Sequence, residues 1–276
     1  MCLSAAAWAL IRACHPVPTA AVTTLTTALG VVLDVRAAQL ALLALAVLAG
    51  QLSVGWLNDY VDRRRDRAAG RTDKPLAVGT IAPVTVRWAT VAAAVVCVPA
   101  SLSLGVRAGT AHLVAVAGAW AYNFGVKRTL WSWVPFAVGF GLLPVIVWIV
   151  SPQPGVPPWW MIAGSMLLGV GAHGANVLPD LDDDRVTGVA GLPHRVPRGV
   201  LRAATALVLL GSLTLLTLGP AQTPIAVEAV LLAAGAVLAA IAAGVGESRL
   251  PARAPLLAAA SIAALAIAAL LTGSIR

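Results

Sequence analysis

Nine apolar runs of near twenty residues, set apart by short charged or Pro/Gly-rich breaks, occupy most of this 276-residue chain. They fall at 18–34, 37–58, 80–101, 108–126, 130–150, 159–178, 200–218, 225–244 and 254–273. A helix of about 20 residues spans the roughly 30 Å core of a bilayer, and in lipid only helices and closed barrels satisfy every backbone group. The runs lack the strict alternation of barrel strands. The expected fold is therefore all-α, an integral membrane bundle of nine transmembrane helices forming a single domain over 1–276. Charged residues make up only 11% of the chain, too few to cover a soluble domain of this length. The stretch "MCLSAAAWALIRACHP" carries one early arginine and no small-residue cleavage site ahead of a soluble domain, and it is expected to be an interfacial lead-in and not a cleaved signal.

A formal net charge of +8 raises the question of nucleic acid, but its distribution answers it. With the runs drawn as spans, sixteen of the nineteen Lys and Arg residues fall on one side, leaving Arg36, Arg107 and Arg276 on the other. By the positive-inside rule the crowded side is cytoplasmic, which puts the N-terminus inside and the C-terminus outside a cell membrane. Cys2, Cys14 and Cys97 have no metal-ligand spacing, so no chemistry is assigned to them.

The acids gather in two loops of that same side. Asn58, Asp62, Asp66 and Gly70 step by four, as do Asn176, Asp180, Asp184 and Gly188, and Pro75 and Pro193 follow each glycine by five. Every pair is offset by 118 residues, so the helix-end motifs at 58–75 and 176–193 read as an internal pseudo-repeat. At about 100° per residue, steps of four form a slowly turning stripe on one helix face, with Asp59 near Asp62 and Asp66. Carboxylates stacked this closely repel one another, and a cation is expected between the two frames. An all-oxygen set of Asp and Asn suits a hard ion such as Mg²⁺, which shares its remaining positions with waters and substrate phosphates. Arg71, Lys74, Lys127 and Arg128 would offset the remaining phosphate charge.

These residues resemble the UbiA-type intramembrane prenyltransferases. "NDYVDRRRDRAAGRTDKPLAVG" is similar to the family's first aspartate motif, "NVLPDLDDDRVTGVAGLPHR" to its second, and "YNFGVKR", with one more residue between its tyrosine and lysine, to its Y-x-x-x-K element. The resemblance implies nine helices around a central cavity with cytoplasmic cap loops. It also implies Mg²⁺-dependent transfer of a prenyl group from a prenyl diphosphate to an aromatic or quinone-precursor acceptor. Carried over by position, Asp59, Asp62 and Asp66 would hold one ion, and Asp180 and Asp184 the second. Asn58 and Asn176 would support metal or phosphate contacts, and Lys127, Arg71 and Lys74 would bind diphosphate. Tyr122 would line the cation site, with Trp56, Trp120 and Phe124 expected to add aromatic faces to a dry cavity. Lys74 stands where the family has arginine, and "DLDDD" leaves open which carboxylates bind.

Arg12 either meets an acidic or phenolic acceptor or serves as a positive-inside anchor. His173, one turn before Asn176 and inside a span, is a candidate for touching the acceptor. His15, His112 and His194 share no metal spacing and are expected to pack or sit at interfaces. A terpene cyclase with the same diphosphate site is the alternative enzyme. A transporter fits less well, because both acid clusters open to one membrane face, and an alcohol phosphotransferase is expected to carry one continuous motif.

Overall fold

The computed structural model describes residues 5–186, 188–221, 223–242 and 254–272. Residues 243, 244 and 273 of the expected spans, and Cys2, Glu247, Arg249, Arg253 and Arg276, lie outside the described residues, as does the side chain of Asp183. The described chain is helical throughout: α1 (Ala5–Ala13), α2 (Pro16–Val32), α3 (Ala37–Ala68), α4 (Pro75–Val78), α5 (Pro83–Ser103), α6 (Val106–Phe124), α7 (Val134–Val150), α8 (Trp159–Val177), α9 (Leu181–Val186), α10 (Arg198–Leu218), α11 (Ile225–Ala242) and α12 (Ala254–Thr272). Single 3-10 turns occur at Val126–Arg128 and Leu192–Arg195.

Among the described residues the nine long helices lie over the nine apolar runs. Of these, α3, α5, α10 and α11 are long and apolar enough to cross a membrane. Shorter apolar helices are α2, α7 and the Leu257–Thr272 part of α12. Two departures matter for the site. The helix of the second run does not stop at 58 but continues to Ala68, since Asp62 and Arg65 pair at i,i+3 on its polar end. Asn58, Asp62 and Asp66 thus share one continuous helix. In the second frame α8 ends at Val177 and Asp180 sits in a turn before α9, because a proline at 179 cannot continue the helical ladder.

The element bounds repeat at the 118-residue offset. Adding 118 to the bounds of α2 gives 134–150, those of α7, and α6 maps within a residue onto α11. Each frame also ends the same way, with its glycine in the left-handed region, Gly70 at φ 67° and Gly188 at φ 79°. There the Arg71 N–H reaches the Asp66 carbonyl at 3.0 Å, and the Val189 N–H reaches that of Asp184 at 2.9 Å. Arg67 donates to the Leu76 carbonyl at 3.2 Å, as Arg185 donates to that of His194 at 3.1 Å. Each loop is therefore stitched back to its own helix end by an arginine at the same register.

Helices α2, α3, α6, α7, α8 and α12 contact in succession, and α12 returns to α2, closing a ring. α5 lies against α3 and α6, while α10 and α11 lie against the α8 and α12 side. Small residues permit the closest approaches. At Gly55 an added methyl would be driven into the backbone of Cys14, where α1 turns into α2, and at Gly169 into the carbonyl of Phe136 on α7. Backbone cannot move aside as a flexible side chain can. Gly55→Ala is expected to destabilise the folded protein by about 1–3 kcal/mol, read as a drop of several degrees in the thermal midpoint of the detergent-solubilised protein. An unchanged midpoint would mean that this packing of the N-terminal segment on α3 is wrong.

Candidate active site

The polar ends of α3, α6 and α8 enclose a cavity of about 250 Å³. Asn58, Asp62 and Asp66 enter it from α3, Asn176 from α8, and Asp180 and Asp184 from the turn and helix that follow. Arg71, Lys74, Lys127, Tyr122 and Arg12 also line it. The structure thus brings together eleven of the fourteen residues singled out from the sequence.

Every acid in this cavity faces a protein cation. Lys127 Nζ lies 2.6 Å from both carboxylate oxygens of Asp62, and Arg65 approaches Asp62 at 3.1 Å and Asp66 at 3.5 Å. Arg71 reaches Asp180 at 3.4 Å and forks onto Asp73 through two bonds of 2.8 and 2.9 Å. That fork holds the Asp73 carboxyl down at about 2 and pushes the Arg71 guanidinium above its ordinary range. Burial raises the Asp180 carboxyl, with Arg71 opposing and Asp184 adding to the rise. His194 Nε2 stands 3.1 Å from Asp184. Asn58 donates to Asn123 Oδ1 at 2.9 Å, and Asn123 in turn donates to the Val54 carbonyl at 3.0 Å.

Lys127 is buried although it sits in a connecting turn. Burial pulls its ammonium down, and the Asp62 carboxylate opposes that pull. The turn is covered by the second frame's loop. Gly191 packs on the Lys127 carbonyl and Ser132, and the Leu192 N–H donates to Ser132 Oγ at 3.2 Å. Closing the second loop over the Lys127 turn therefore joins the two halves of the site.

Three residues lie elsewhere. Asp59 is 1% exposed and off the cavity lining, bonded to Lys74 Nζ at 2.7 Å and His15 Nε2 at 2.9 Å. The α1–α2 joint covers that level of α3, so Asp59 forms wall behind the cavity. Its other oxygen is buried without a partner. Arg128 is exposed and off the lining, because the 3-10 turn rotates it by about 120° from buried Lys127. His173 lies beneath the cavity, 5.7 Å from the Tyr122 ring and 4.7 Å from that of Phe136, with Nε2 3.3 Å from Ser132 Oγ. Of the four aromatics expected to face the cavity, only Tyr122 does. Trp56 donates to the Leu10 carbonyl and Trp120 to Ser53 Oγ, and Phe124 is exposed.

Sequence reasoning missed Arg65, His15, His194 and Phe136. A signal existed for Arg65, three residues past Asp62 on a continuous helix. His15 and His194 share no spacing that sets them apart from packing residues, and nothing in "VPFAV" marks Phe136. Arg12 lines the cavity and donates to the Asp73 carbonyl at 2.8 Å.

Among the described residues no three acid, histidine or cysteine side chains converge as a ready-made ion cage. The donor chemistry nonetheless fits a hard divalent cation, since Asp62, Asp66, Asp180 and Asp184 offer only oxygen and line one cavity.

The UbiA prenyltransferase family model matches residues 16–261. The chain is 30% identical over 164 residues to the bacteriochlorophyll synthase 33 kDa chain of Rhodobacter capsulatus, a match covering 53% of this chain and 52% of that protein. It thus spans about half the length of that curated relative. Its fold is similar to a UbiA homolog from Archaeoglobus fulgidus bound to GPP and Mg²⁺, with a TM-score of 0.75, 16% identity, and 95% and 98% of the two chains covered. It is also similar to the apo structure of a UbiA homolog from Aeropyrum pernix K1, with a TM-score of 0.72, 17% identity, and 90% and 96% covered. The family match runs from the start of α2 into α12 and takes in both aspartate frames, Tyr122 and Lys127, so this chain belongs to the UbiA prenyltransferase family.

Proposed function

We propose that the protein transfers a prenyl group from a prenyl diphosphate to an aromatic or other lipophilic acceptor, with Mg²⁺ as cofactor, at the cytoplasmic face of a cell membrane. The observation that carries this reading is one cavity shared by two aspartate frames and five Lys/Arg side chains, backed by an apolar bundle. That combination suits a ligand with a highly charged head and a hydrocarbon tail. The GPP and Mg²⁺ bound to the A. fulgidus homolog support it. An apolar cavity of about 80 Å³ between α2, α7, α8 and α12, lined by Leu25, Leu29, Phe140 and Leu168 among others, supplies room suited to hydrocarbon.

Asp62, Asp66, Asp180 and Asp184 would hold Mg²⁺, which when bound neutralises diphosphate charge and improves it as a leaving group. Lys127, Arg71 and Lys74 donate to the phosphate oxygens, where negative charge grows as the allylic C–O bond breaks. The electron pair leaves with the diphosphate, and the resulting allylic cation faces the Tyr122 ring, which Phe136 and His173 pack against from behind. Buried ring edges at that depth exclude water that would otherwise capture the cation. The acceptor then bonds to the allylic carbon and loses a proton. Arg12, on the cavity rim, is the proposed contact for an acidic or phenolic acceptor.

The test is incubation of purified protein in detergent with Mg²⁺ and geranyl, farnesyl or geranylgeranyl diphosphate, with and without phenolic and quinone-precursor acceptors. Diphosphate release and product mass are measured together. An acceptor-linked product is expected, whereas a cyclised hydrocarbon formed without acceptor would replace this reading with a cyclase. No release from any donor, longer polyprenyl diphosphates included, would overturn it. Excess EDTA is expected to reduce release to background, and added Mg²⁺ to restore it. Release that persists in EDTA would remove the metal from the proposal.

A further inference from the structure

Arg65 touches both aspartate frames at once. Its Nη2 lies 3.1 Å from Asp62 Oδ2 and 3.5 Å from Asp66 Oδ1, and its Nη1 lies 3.8 Å from Asp184 Oδ1. These are loose contacts spread over three carboxylates. The side chain is 21% exposed and lines the cavity, so it has room to turn. Lys127, held against Asp62 at 2.6 Å and 5% exposed, has far less.

The cavity also has nearly as many cations as anions: Arg12, Arg65, Arg71, Lys74 and Lys127 line it against Asp62, Asp66, Asp73, Asp180 and Asp184, with Asp59 behind the lining on Lys74. A divalent cation entering alone meets carboxylates that already have partners. A diphosphate entering alone meets guanidinium and ammonium groups that already have partners. Either must break ion pairs and leave a charged group uncompensated in a partly buried site, which is costly. When both enter, the pairs can exchange, and an arginine fork suits two phosphate oxygens as well as it suits carboxylates.

Resting on the diphosphate-site reading above, we propose that Arg65 is a resident counter-ion that couples metal and diphosphate binding. It stands in for the divalent cation between Asp62, Asp66 and Asp184, and turns to the diphosphate when the metal takes those carboxylates. The coupling is reciprocal, since a group that must leave one ligand's site to serve the other's raises both affinities together.

The experiment is a Mn²⁺ titration of the detergent-solubilised full chain, followed by the electron paramagnetic resonance signal of free Mn²⁺, with and without geranyl thiodiphosphate. In the wild-type protein the analogue is expected to tighten Mn²⁺ binding about tenfold or more, with an equal effect of Mn²⁺ on analogue affinity. In Arg65→Met, Mn²⁺ alone is expected to bind several-fold more tightly than to wild type. The coupling should fall to within about threefold, while Arg65→Lys keeps most of it. A merely structural role for Arg65 predicts weaker Mn²⁺ binding, not tighter. Mn²⁺ affinity unchanged or reduced in a folded Arg65→Met protein would overturn the proposal, as would full coupling without Arg65. Should Arg65→Met fail to fold, Arg65→Gln takes its place, and wild-type protein that binds both ligands without coupling overturns the proposal on its own. Wild-type protein that binds neither ligand would instead bring down the diphosphate-site reading and this inference with it.

Discussion

Asp62→Ala is expected to lower turnover by about a thousandfold or more while the bundle stays folded. The carboxylate is nearly buried and is the meeting point of the site, with Lys127 on both oxygens and Arg65 on one. Its removal takes away more than one charge. Burial already pulls the Lys127 ammonium down, and Asp62 is the leading group that opposes this. Without Asp62 the balance moves toward neutral lysine, so the variant loses a metal ligand and weakens a phosphate donor together. Excess Mg²⁺ is therefore not expected to restore activity. Asp62→Asn, which keeps the volume, should lose nearly as much. The check is diphosphate release at saturating donor and Mg²⁺, with the thermal midpoint measured on the same sample. A folded Asp62→Ala protein with full activity would remove the proposed metal site.

Lys127→Met is the second large effect. It keeps the length and packing of a side chain that is 5% exposed but removes the charge. One preorganised donor to a developing negative charge is worth about 10²–10³ in rate, so kcat/KM for diphosphate release should fall by about that factor. Part of the fall should appear in kcat, because the leaving group gains its charge as the bond breaks. Arg65 remains on Asp62, which limits the structural cost. A change confined to KM would make Lys127 a binding group only. Unchanged kinetics would place the diphosphate away from the Asp62 side of the cavity.

The two frames were legible in the sequence because charge is scarce in this chain and periodicity is local. Steps of four set an angle around a helix axis whatever else the chain does, and the offset of 118 tied Gly70 to Gly188 before any backbone angle was known. The structure gives those glycines matching left-handed turns after Asp66 and Asp184. The apolar runs announced the helices for the same reason, since each answers to its own composition.

Partnership was not legible. Angle alone grouped Asp59 with Asp62 and Asp66, but His15 and Lys74 arrive from separate segments and close over Asp59 before it can reach the cavity. Lys127 and Arg128 are neighbours with the same charge, and a single 3-10 turn buries one and exposes the other. Pro179 breaks the helix that the second frame was expected to continue, so Asp180 reaches the cavity from a turn. Arg65 and Phe136 acquire their places through contacts across 119 and 37 positions of sequence, and His194 reaches Asp184 across ten, from the far side of the second loop. The sequence by itself determined that Asn58, Asp62 and Asp66 share a helix face and which end of each helix carries charge, because both follow from local spacing. Only the tertiary structure decided which element covers each face, and hence which charges meet, because that depends on how the α2–α3–α6–α7–α8–α12 ring closes.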